Sequence, residues 1–461
     1  MKNSSLWRMM VVLLLYATYL PLSGYTTGQF RFDAAEYWEL SLKFTQSGHF
    51  SLLAFDEPVR GYLGPLLILP ARIFCHFTGW SMLAGAQLLG AGWAALLFGL
   101  AIPQLWAQST SRPLTGARWL VLLGLTFLFR RGYFNFTLSD MPALTLLLLA
   151  LVALGRPGWR WAAVAGLLLA AAINVRPIYV ASMPGAVWLL LAHQPAGNVR
   201  MLRVAALAAG LALVLWPQWR INQVHFQQNT PLVLGARPGA PSLYRTQLAW
   251  GTAFQRYETS LIPEIPRSLL YADSVGQRAL AKEAGRTFAS YGQYLRFVGR
   301  QPLATAGRYL RHLFNGLDIK YPTPYPTQLH PPAQAALRLL NYSLLGVGIW
   351  LIFEALLRRT ARSAMPGLPL VPRTGVLLVL LLPCLLVLPT LMECRFLLPL
   401  HLLLLTVVAA GWQPVACWQR LGSSARRLGA LALLLGWGAG CWQLSEATAG
   451  QIRPSNEAPA E

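Results

Sequence analysis

The strongest constraint on this chain is a series of long apolar runs, which recur along its length and are separated by short turns that carry arginine. A helix needs about 20 apolar residues to cross the hydrocarbon core of a bilayer, and these runs approach that length. A transmembrane barrel would show short alternating segments instead. Only 12% of the residues are charged, against about 25% in soluble domains. The sequence therefore predicts an all-α polytopic membrane protein.

We expect about eleven transmembrane helices, with boundaries that follow the polar and basic residues. They are placed at residues 6–25, 81–106, 119–129, 141–154, 161–174, 178–192, 204–219, 339–357, 375–391, 396–411 and 428–444.

The segment Gly61–Thr78 is apolar but contains two prolines, an arginine and a histidine. It could be a span or a helix lying at the membrane interface. Only the interfacial placement puts nearly all the short arginine-bearing turns on the cytoplasmic side, as the positive-inside rule requires. We therefore expect an interfacial helix in the first outer loop and an N-terminus inside. The run after Lys2 and Arg8 lacks a small-residue cleavage site, so it is expected to be an uncleaved span.

The formal net charge of +22 is spread over short loops rather than gathered into one patch. This distribution favours positive-inside topology over nucleic-acid binding. The five cysteines and seven histidines show no spacing typical of a disulfide framework or a metal site.

Three parts follow along the chain. Residues 1–219 form an N-terminal transmembrane module whose first outer loop covers 28–80, residues 220–337 form a long outer loop, and residues 338–461 form a C-terminal transmembrane module. In the long loop we expect amphipathic helices at Ser274–Phe288 and Tyr291–Phe314. Their basic excess allows two interpretations: a solvated surface facing the headgroups, or attraction of anionic lipid phosphates.

The loop after the first span holds most of the acidic side chains of the N-terminal third. Asp33, Glu36 and Tyr37 are spaced i, i+3, i+4, so a helix would place them on one face; we expect that helix to end at Gly48. Asp33 and Glu36 also match an acidic variant of a capping box. The alternative is that Asp33 is a general base for an acceptor hydroxyl at the membrane surface.

Further polar residues could contribute to the same site. One group in the first loop reads as a charged turn with a local ion pair or as sugar-phosphate contacts, with arginine as the phosphate partner. A second group lies at the outer ends of later spans, where charges are functional when they face a cavity and otherwise extend toward water. The first group is Asp56, Glu57, Arg60 and Tyr62, and the second is Arg131, Asp140, Arg176, Glu393 and Arg395.

Five motifs in order resemble the GT-C superfamily of membrane glycosyltransferases, and within it the protein O-mannosyltransferase and lipid A aminoarabinose transferase group. The motifs are DAAEYWELSLKFTQSGHF, FDEPVRGYLGPL, LSDMPALTLLLLALVAL, INVRPIYV and ECRFLLPLHLLL. The resemblance covers most of the spans.

The resemblance implies a GT-C-like bundle and an inverting transfer of a sugar from a polyprenyl-phosphate donor to a glycan, lipid or protein acceptor. It maps the family's catalytic acidic residue of the first outer loop onto Asp33 and a second acidic site residue onto Asp140. The outer face would be the periplasmic face of a bacterial inner membrane.

The chain departs from the aminoarabinose transferases at three positions: Ala34 replaces an acidic residue, and Glu36 and Glu57 replace basic ones. Two positions at which a basic residue would be expected to meet the donor phosphate are therefore acidic here. Arg60, Arg130, Arg131, Arg176 or Arg395, or a divalent cation, would have to replace them.

Two other functions remain as alternatives. A transporter or flippase for lipid-linked sugars predicts charges in the middle of spans and internal repeats, and neither is evident. A non-enzymatic membrane partner in envelope glycan assembly would be indifferent to mutation of Asp33. An O-antigen ligase or polymerase is a further enzymatic alternative.

Overall fold

The computed structural model describes residues 2–46, 48–110, 112–192, 197–265, 267–361, 370–413, 415, 419 and 422–453. Within this part of the chain the protein is largely helical. The helices are α1 (Lys2–Tyr19), α2 (Phe32–Leu40), α3 (Leu63–Thr78), α4 (Met82–Ala94), α5 (Ile102–Thr110), α6 (Gly116–Arg130), α7 (Asp140–Leu154), α8 (Trp159–Val175), α9 (Met183–Ala192), α10 (Asn198–Phe226), α11 (Leu243–Ala253), α12 (Ser274–Ala284), α13 (Tyr291–Arg300), α14 (Pro302–Leu317), α15 (Pro331–Ala361), α16 (Leu370–Val387), α17 (Leu398–Gly411) and α18 (Ser424–Ala449).

Among the described residues, five apolar helices are long enough to cross a membrane, which confirms the coarse prediction of a helical protein with membrane-spanning character. They cover Ser4–Ser23, Met82–Thr110, Asn198–Phe226, Pro331–Glu354 and Ser424–Ala449. The second of these joins α4 and α5 through a π-helical segment, Ala95–Ala101. The other predicted spans coincide with shorter helices, so the count of about eleven remains a prediction.

The described residues divide into two compact units. The first unit takes in Met1–Leu114, Arg131–Tyr244 and Leu368–Leu386, and the second takes in Thr115–Arg130, Arg245–Gly367 and Val387–Glu461. The units interleave along the chain, and the predicted division into three consecutive parts remains a prediction.

Helix packing in the first unit depends on glycine at close crossings. A Cβ on Gly166 of α8 would overlap the carbonyl of Leu207 in α10, and one on Gly210 would overlap the carbonyl of Ala163. Small residues allow two apolar helices to approach until their backbones touch, which is the usual way helices associate in lipid.

The first loop contains more than a helix. After α2 the chain forms a 3-10 turn and then a two-residue hairpin of β1 (Thr45–Gln46) and β2 (His49–Phe50). The prediction that the helix ends at Gly48 is therefore wrong: α2 ends at Leu40, and Gly48 adopts a φ of +78°, a left-handed conformation that glycine tolerates.

An apolar cluster connects this loop to α10. Leu40, Phe44, Phe55 and Tyr62 are buried together against Ile221, with α3 residues packed beside them. A helix is present at the predicted position Gly61–Thr78, as α3, and its placement at the membrane interface remains a prediction.

In the second unit, two strands of the long loop and one strand near the C-terminal end form a small antiparallel sheet that the sequence did not predict. Strands β3 (Phe254–Thr259), β4 (Ser268–Ala272) and β5 (Ile452–Arg453) pair in that order. The first predicted loop helix is present but ends earlier, at Ala284. The second is broken between α13 and α14, because Pro302 begins a new helix and the residue before a proline avoids the helical conformation.

Candidate functional site

Helix α2 presents Asp33, Glu36 and Tyr37 to one arginine, Arg60, which lies 24 residues after Glu36 in the chain. The Arg60 Nη2 atom donates to Glu36 Oε2 at 2.9 Å and to Asp33 Oδ1 at 3.3 Å, and Nε donates to Glu36 Oε1 at 3.3 Å. The same guanidinium lies 5.2 Å from the centre of the Tyr37 ring. The predicted common face of α2 is thus confirmed, with Arg60 as its partner.

The start of α2 differs from the predicted capping box. Arg31 is the residue before the first turn, with no side-chain cap, and Asp33 lies inside that turn. A carboxylate there is favourable because the N-terminal end of a helix carries partial positive charge. Phe32 has a φ of +56°, which is rare for an aromatic residue. Strain of this kind is common at functional sites and costs about 1–3 kcal/mol.

The electrostatics of this cluster are set by two carboxylates around one guanidinium. All three charged side chains are partly exposed, so ligands can approach them from solvent. Tyr37, followed by the charges of Asp33 and Glu36, raises the pKa of Arg60 above its ordinary value. Arg60 therefore stays cationic, and the cluster has one negative charge in excess when both acids are ionised.

Asp56 and Glu57 form a separate group. Lys43 Nζ lies 2.6 Å from Asp56 Oδ1 and 3.8 Å from Glu57 Oε2, and Glu57 also accepts a bond from the Val59 amide. The predicted charged turn with an ion pair is therefore present, and its cation is Lys43 rather than Arg60. Any contact of these two acids with a substrate remains a prediction.

Tyr62 is buried, and its hydroxyl donates to the carbonyl of Val214 in α10 at 3.0 Å. This bond holds the end of the Arg60 segment against α10. The predicted contact of Tyr62 with substrate remains a prediction, and the geometry gives the residue a positioning role.

A buried polar ladder, absent from the sequence reading, fixes the same segment. Asn174 Oδ1 accepts from the Leu63 amide at 2.8 Å, and Asn174 Nδ2 donates to Gln218 Oε1 at 2.9 Å. Gln218 Nε2 donates in turn to Asn222 Oδ1 at 3.0 Å. Asn222 Nδ2 then donates to the carbonyls of Thr230 and Leu232.

The ladder is fully enclosed, since its three side chains are at most 1% exposed. Gly61 completes the contact, because a Cβ at this position would overlap the backbone carbonyl of Asn174. Polar residues inside apolar helices were the only sequence signal for this arrangement. The ladder links the segment carrying Arg60 to the end of α8, where Arg176 follows.

Asp140 and Arg176 form a buried ion pair. Asp140 lies in the first turn of α7 and is 1% exposed, and Arg176 follows the last residue of α8. Buried charges in apolar surroundings require partners, and pairs of this kind mark functional sites in membrane proteins. Arg131 lies in the turn after α6, with its guanidinium 5.9 Å from the centre of the Tyr19 ring.

A small cleft of about 30 Å³ lies near both charged groups. Tyr37 of α2 and Gly64 of α3 line one part, and Ser139, Met141 and Val175 line another. These last three residues are the chain neighbours of Asp140 and Arg176. The lining of this cleft therefore includes Tyr37, which contacts Arg60, and residues adjacent in sequence to Asp140 and Arg176.

The remaining predicted site residues, Glu393 and Arg395, belong to the second unit. They pair with each other through Arg395 Nε and Glu393 Oε2 at 2.5 Å. Arg130, also in the second unit, donates from Nη2 to the carbonyl of Cys394 at 3.3 Å. Their participation in a site with Asp33 remains a prediction.

A divalent cation finds few ligands here. Among the described residues, no three His, Cys, Asp or Glu side chains come together in a way that could hold a metal ion. The carboxylates of Asp33 and Glu36 lie together, and both face Arg60, which already supplies them with a cation.

Comparison with known proteins does not place this chain in a family. No model of a known protein family matches the chain, and a search of curated proteins finds no match. The charged clusters and the cleft beside them are therefore the basis on which a function is proposed.

Proposed function

We propose that this protein is an inverting membrane glycosyltransferase of the GT-C type, with about eleven transmembrane helices and α3 lying at the interface. It would transfer a sugar from a polyprenyl-phosphate donor to a glycan, lipid or protein acceptor on the outer face. For a bacterial inner membrane that face is the periplasmic one. The observation that carries the proposal is the Asp33–Glu36–Arg60 cluster beside a cleft in a largely apolar helical protein.

Each part of the cluster suits one requirement of the reaction. The acceptor hydroxyl needs a carboxylate within hydrogen-bonding distance to take its proton. Asp33 is suited to this, because its oxygen is partly exposed and the strained first turn of α2 fixes its position. The acceptor oxygen would attack the anomeric carbon while the bond from that carbon to the phosphate oxygen breaks. One displacement inverts the anomeric centre, and the proton ends on Asp33.

The leaving group is a lipid phosphate, whose growing negative charge requires cations. Arg60 meets this requirement, since a guanidinium can bind two phosphate oxygens at once. In the free protein Arg60 is held by Asp33 and Glu36. A donor phosphate would take over some of its hydrogen bonds, while Glu36 retains the guanidinium in place. Arg176, which pairs with Asp140 and follows the cleft residue Val175, is the second candidate cation.

The test uses purified protein in nanodiscs with a panel of radiolabelled polyprenyl-phosphate sugars. Wild type is compared with Asp33→Asn and with Glu39→Gln, a matched control on the same helix whose side chain is 62% exposed. We expect Asp33→Asn to lower kcat by about 10²–10⁴-fold, with KM for the donor little changed. Glu39→Gln should retain wild-type turnover. Thermal unfolding of each variant checks that its fold is retained.

Two results would contradict the proposal in different ways. Equal turnover by Asp33→Asn and wild type would remove Asp33 as the base and direct attention to Asp140. No turnover of any donor by wild type, in a preparation that unfolds cooperatively, would favour a transporter of lipid-linked sugars or a non-enzymatic partner.

A further inference from the structure

Helix α14 in the second unit has its polar and apolar faces reversed. Thr305, Arg308, His312 and Asn315 recur at helical spacing and are all buried. Arg308 donates to Asp273, and His312 Nδ1 lies 2.6 Å from the carbonyl of Leu388.

Two leucines of α14 lie on the outside. Leu303 is 87% exposed and Leu310 is 67% exposed. They are seven residues apart and therefore share a face, with the small exposed residue Ala306 between them. On the preceding helix, α13, Leu295 is also 67% exposed. A helix in water buries its apolar face and exposes its polar one, so this outer face is built for contact with an apolar medium.

The surroundings of the exposed leucines are strongly basic. Residues 274–317 contain seven arginines and lysines and one acidic residue, Glu283, a net charge of +6. Arg296 and Arg300 are exposed on α13, where Arg300 also pairs with Glu283 at 2.7 Å. The Arg311 side chain, next to Leu310, is 45% exposed and pairs with Asp273 at 2.9 Å. A second copy of the same face would be repelled by this charge, whereas anionic phosphates would be attracted.

The end of α14 lies at the end of a helix long enough to span a membrane. Thr448, in the last turn of α18, donates to Asn315 Oδ1 at 3.2 Å. Ser445 of the same turn donates to Asp318, the residue after α14, at 2.6 Å. The end of a spanning helix lies at the depth of the lipid headgroups. These two contacts therefore place the C-terminal end of α14 at that depth.

We propose that α13 and α14 lie in the headgroup layer of the bilayer. Leu295, Leu303 and Leu310 contact the acyl chains, while Arg296, Arg300 and Arg311 bind the phosphates of anionic phospholipids. This explains both the reversed faces of α14 and the basic excess of a segment that crosses no membrane. The proposal does not depend on the glycosyltransferase activity.

The experiment places a fluorescent NBD label on single cysteines in full-length protein whose five native cysteines are replaced. Leu303→Cys and Leu310→Cys are compared with Arg237→Cys, a control at an exposed polar loop position. The proteins are reconstituted in phosphatidylcholine vesicles containing phosphatidylglycerol. We expect labels at 303 and 310 to be quenched by doxyl-labelled lipid several-fold more than the control, and less by aqueous iodide.

The charge requirement is tested with the label at position 303. Doxyl-phosphatidylglycerol should quench more than doxyl-phosphatidylcholine at equal mole fraction. Arg296→Gln and Arg300→Gln should each reduce this preference by up to about fivefold, the equivalent of about 1 kcal/mol per basic residue at an anionic surface.

Three outcomes would overturn the proposal. Iodide quenching at 303 and 310 equal to the control would place the face in water. Protection from both quenchers would indicate that a second protein chain covers it. Equal quenching by the two doxyl lipids would exclude recognition of anionic headgroups. Gel filtration of each labelled variant confirms that it remains folded.

Discussion

Replacing Asn174 with leucine should weaken both the fold and the position of Arg60. Leucine keeps the approximate size of the side chain but removes both of its hydrogen bonds. The Leu63 amide loses its 2.8 Å acceptor, and Gln218 Oε1 loses one of two donors while keeping the Tyr62 amide at 3.4 Å.

The cost follows from these two losses. A buried amide without an acceptor costs about 1–3 kcal/mol, and a neutral hydrogen bond lost from an acceptor that retains another costs about 1 kcal/mol. We therefore expect Asn174→Leu to lower the free energy of unfolding by about 2–4 kcal/mol. Turnover should fall as well, because Arg60 lies three residues before Leu63 and would lose its fixed position.

The measurement is unfolding by SDS titration in mixed micelles, with Asn229→Leu as the matched control. Asn229 accepts an exposed hydrogen bond from Trp219, which water can replace, so the control should change stability by less than about 0.5 kcal/mol. Gln218→Leu completes a double-mutant cycle. Since Asn174 and Gln218 share a bond, their effects should fall short of additivity by about 1 kcal/mol. Strict additivity, or a cost of Asn174→Leu as small as that of the control, would refute the ladder.

Three further predictions test other contacts. Arg176→Gln should destabilise the protein in SDS titration by about 3–5 kcal/mol, because it removes the cation facing buried Asp140. Adding Asp140→Asn should recover part of that loss. If nothing is recovered, the two side chains do not act as a pair. Gly61→Ala should lower the thermal unfolding temperature, because the new Cβ would overlap the backbone carbonyl of Asn174. Gly64→Ala, whose Cβ would lie 3.4 Å from Tyr37, should be tolerated. Equal effects of the two substitutions would contradict the close approach of Gly61 to Asn174. Burial lowers the pKa of His312 to about 4. As the pH falls, the unfolded chain therefore binds a proton at this residue before the folded protein does. The free energy of unfolding should be highest above about pH 6.5 and should decrease by about 3 kcal/mol down to pH 4. A pH titration of unfolding in which His312→Gln has the same slope as wild type would exclude this residue as the cause.

Local patterns of the sequence were enough to predict most of the helices, although α11 was missed. Apolar runs and their bounding arginines predicted a helix at each place where one is found between α4 and α10, and a helix was also predicted at Gly61–Thr78, where α3 is found. The spacing of Asp33, Glu36 and Tyr37 likewise predicted their common face. These features depend on the helical repeat, which the chain displays over a few consecutive residues.

The tertiary structure decided which charges and amides meet. Arg60 was expected to bind phosphate, but which side chains would hold it in the free protein depended on the return of the chain after the β1–β2 hairpin. Lys43 was not predicted as the partner of Asp56. The Asn174–Gln218–Asn222 ladder joins segments 44 residues and more apart, and a single amide in an apolar run does not reveal its partner.

Helix α14 shows most clearly which features the sequence predicts and which depend on the tertiary structure. Its sequence lies within the amphipathic helix predicted at Tyr291–Phe314. In the structure Leu303 and Leu310 share one face of α14, and Arg308 and His312 share the other. The sequence could not tell which face is buried, since the periodicity is the same for either orientation. Contacts with Asp273 and Leu388 settle it by satisfying the polar face inside the protein. The leucines therefore remain on the outer surface, because only one face of a helix can be turned toward the partners that its polar groups require.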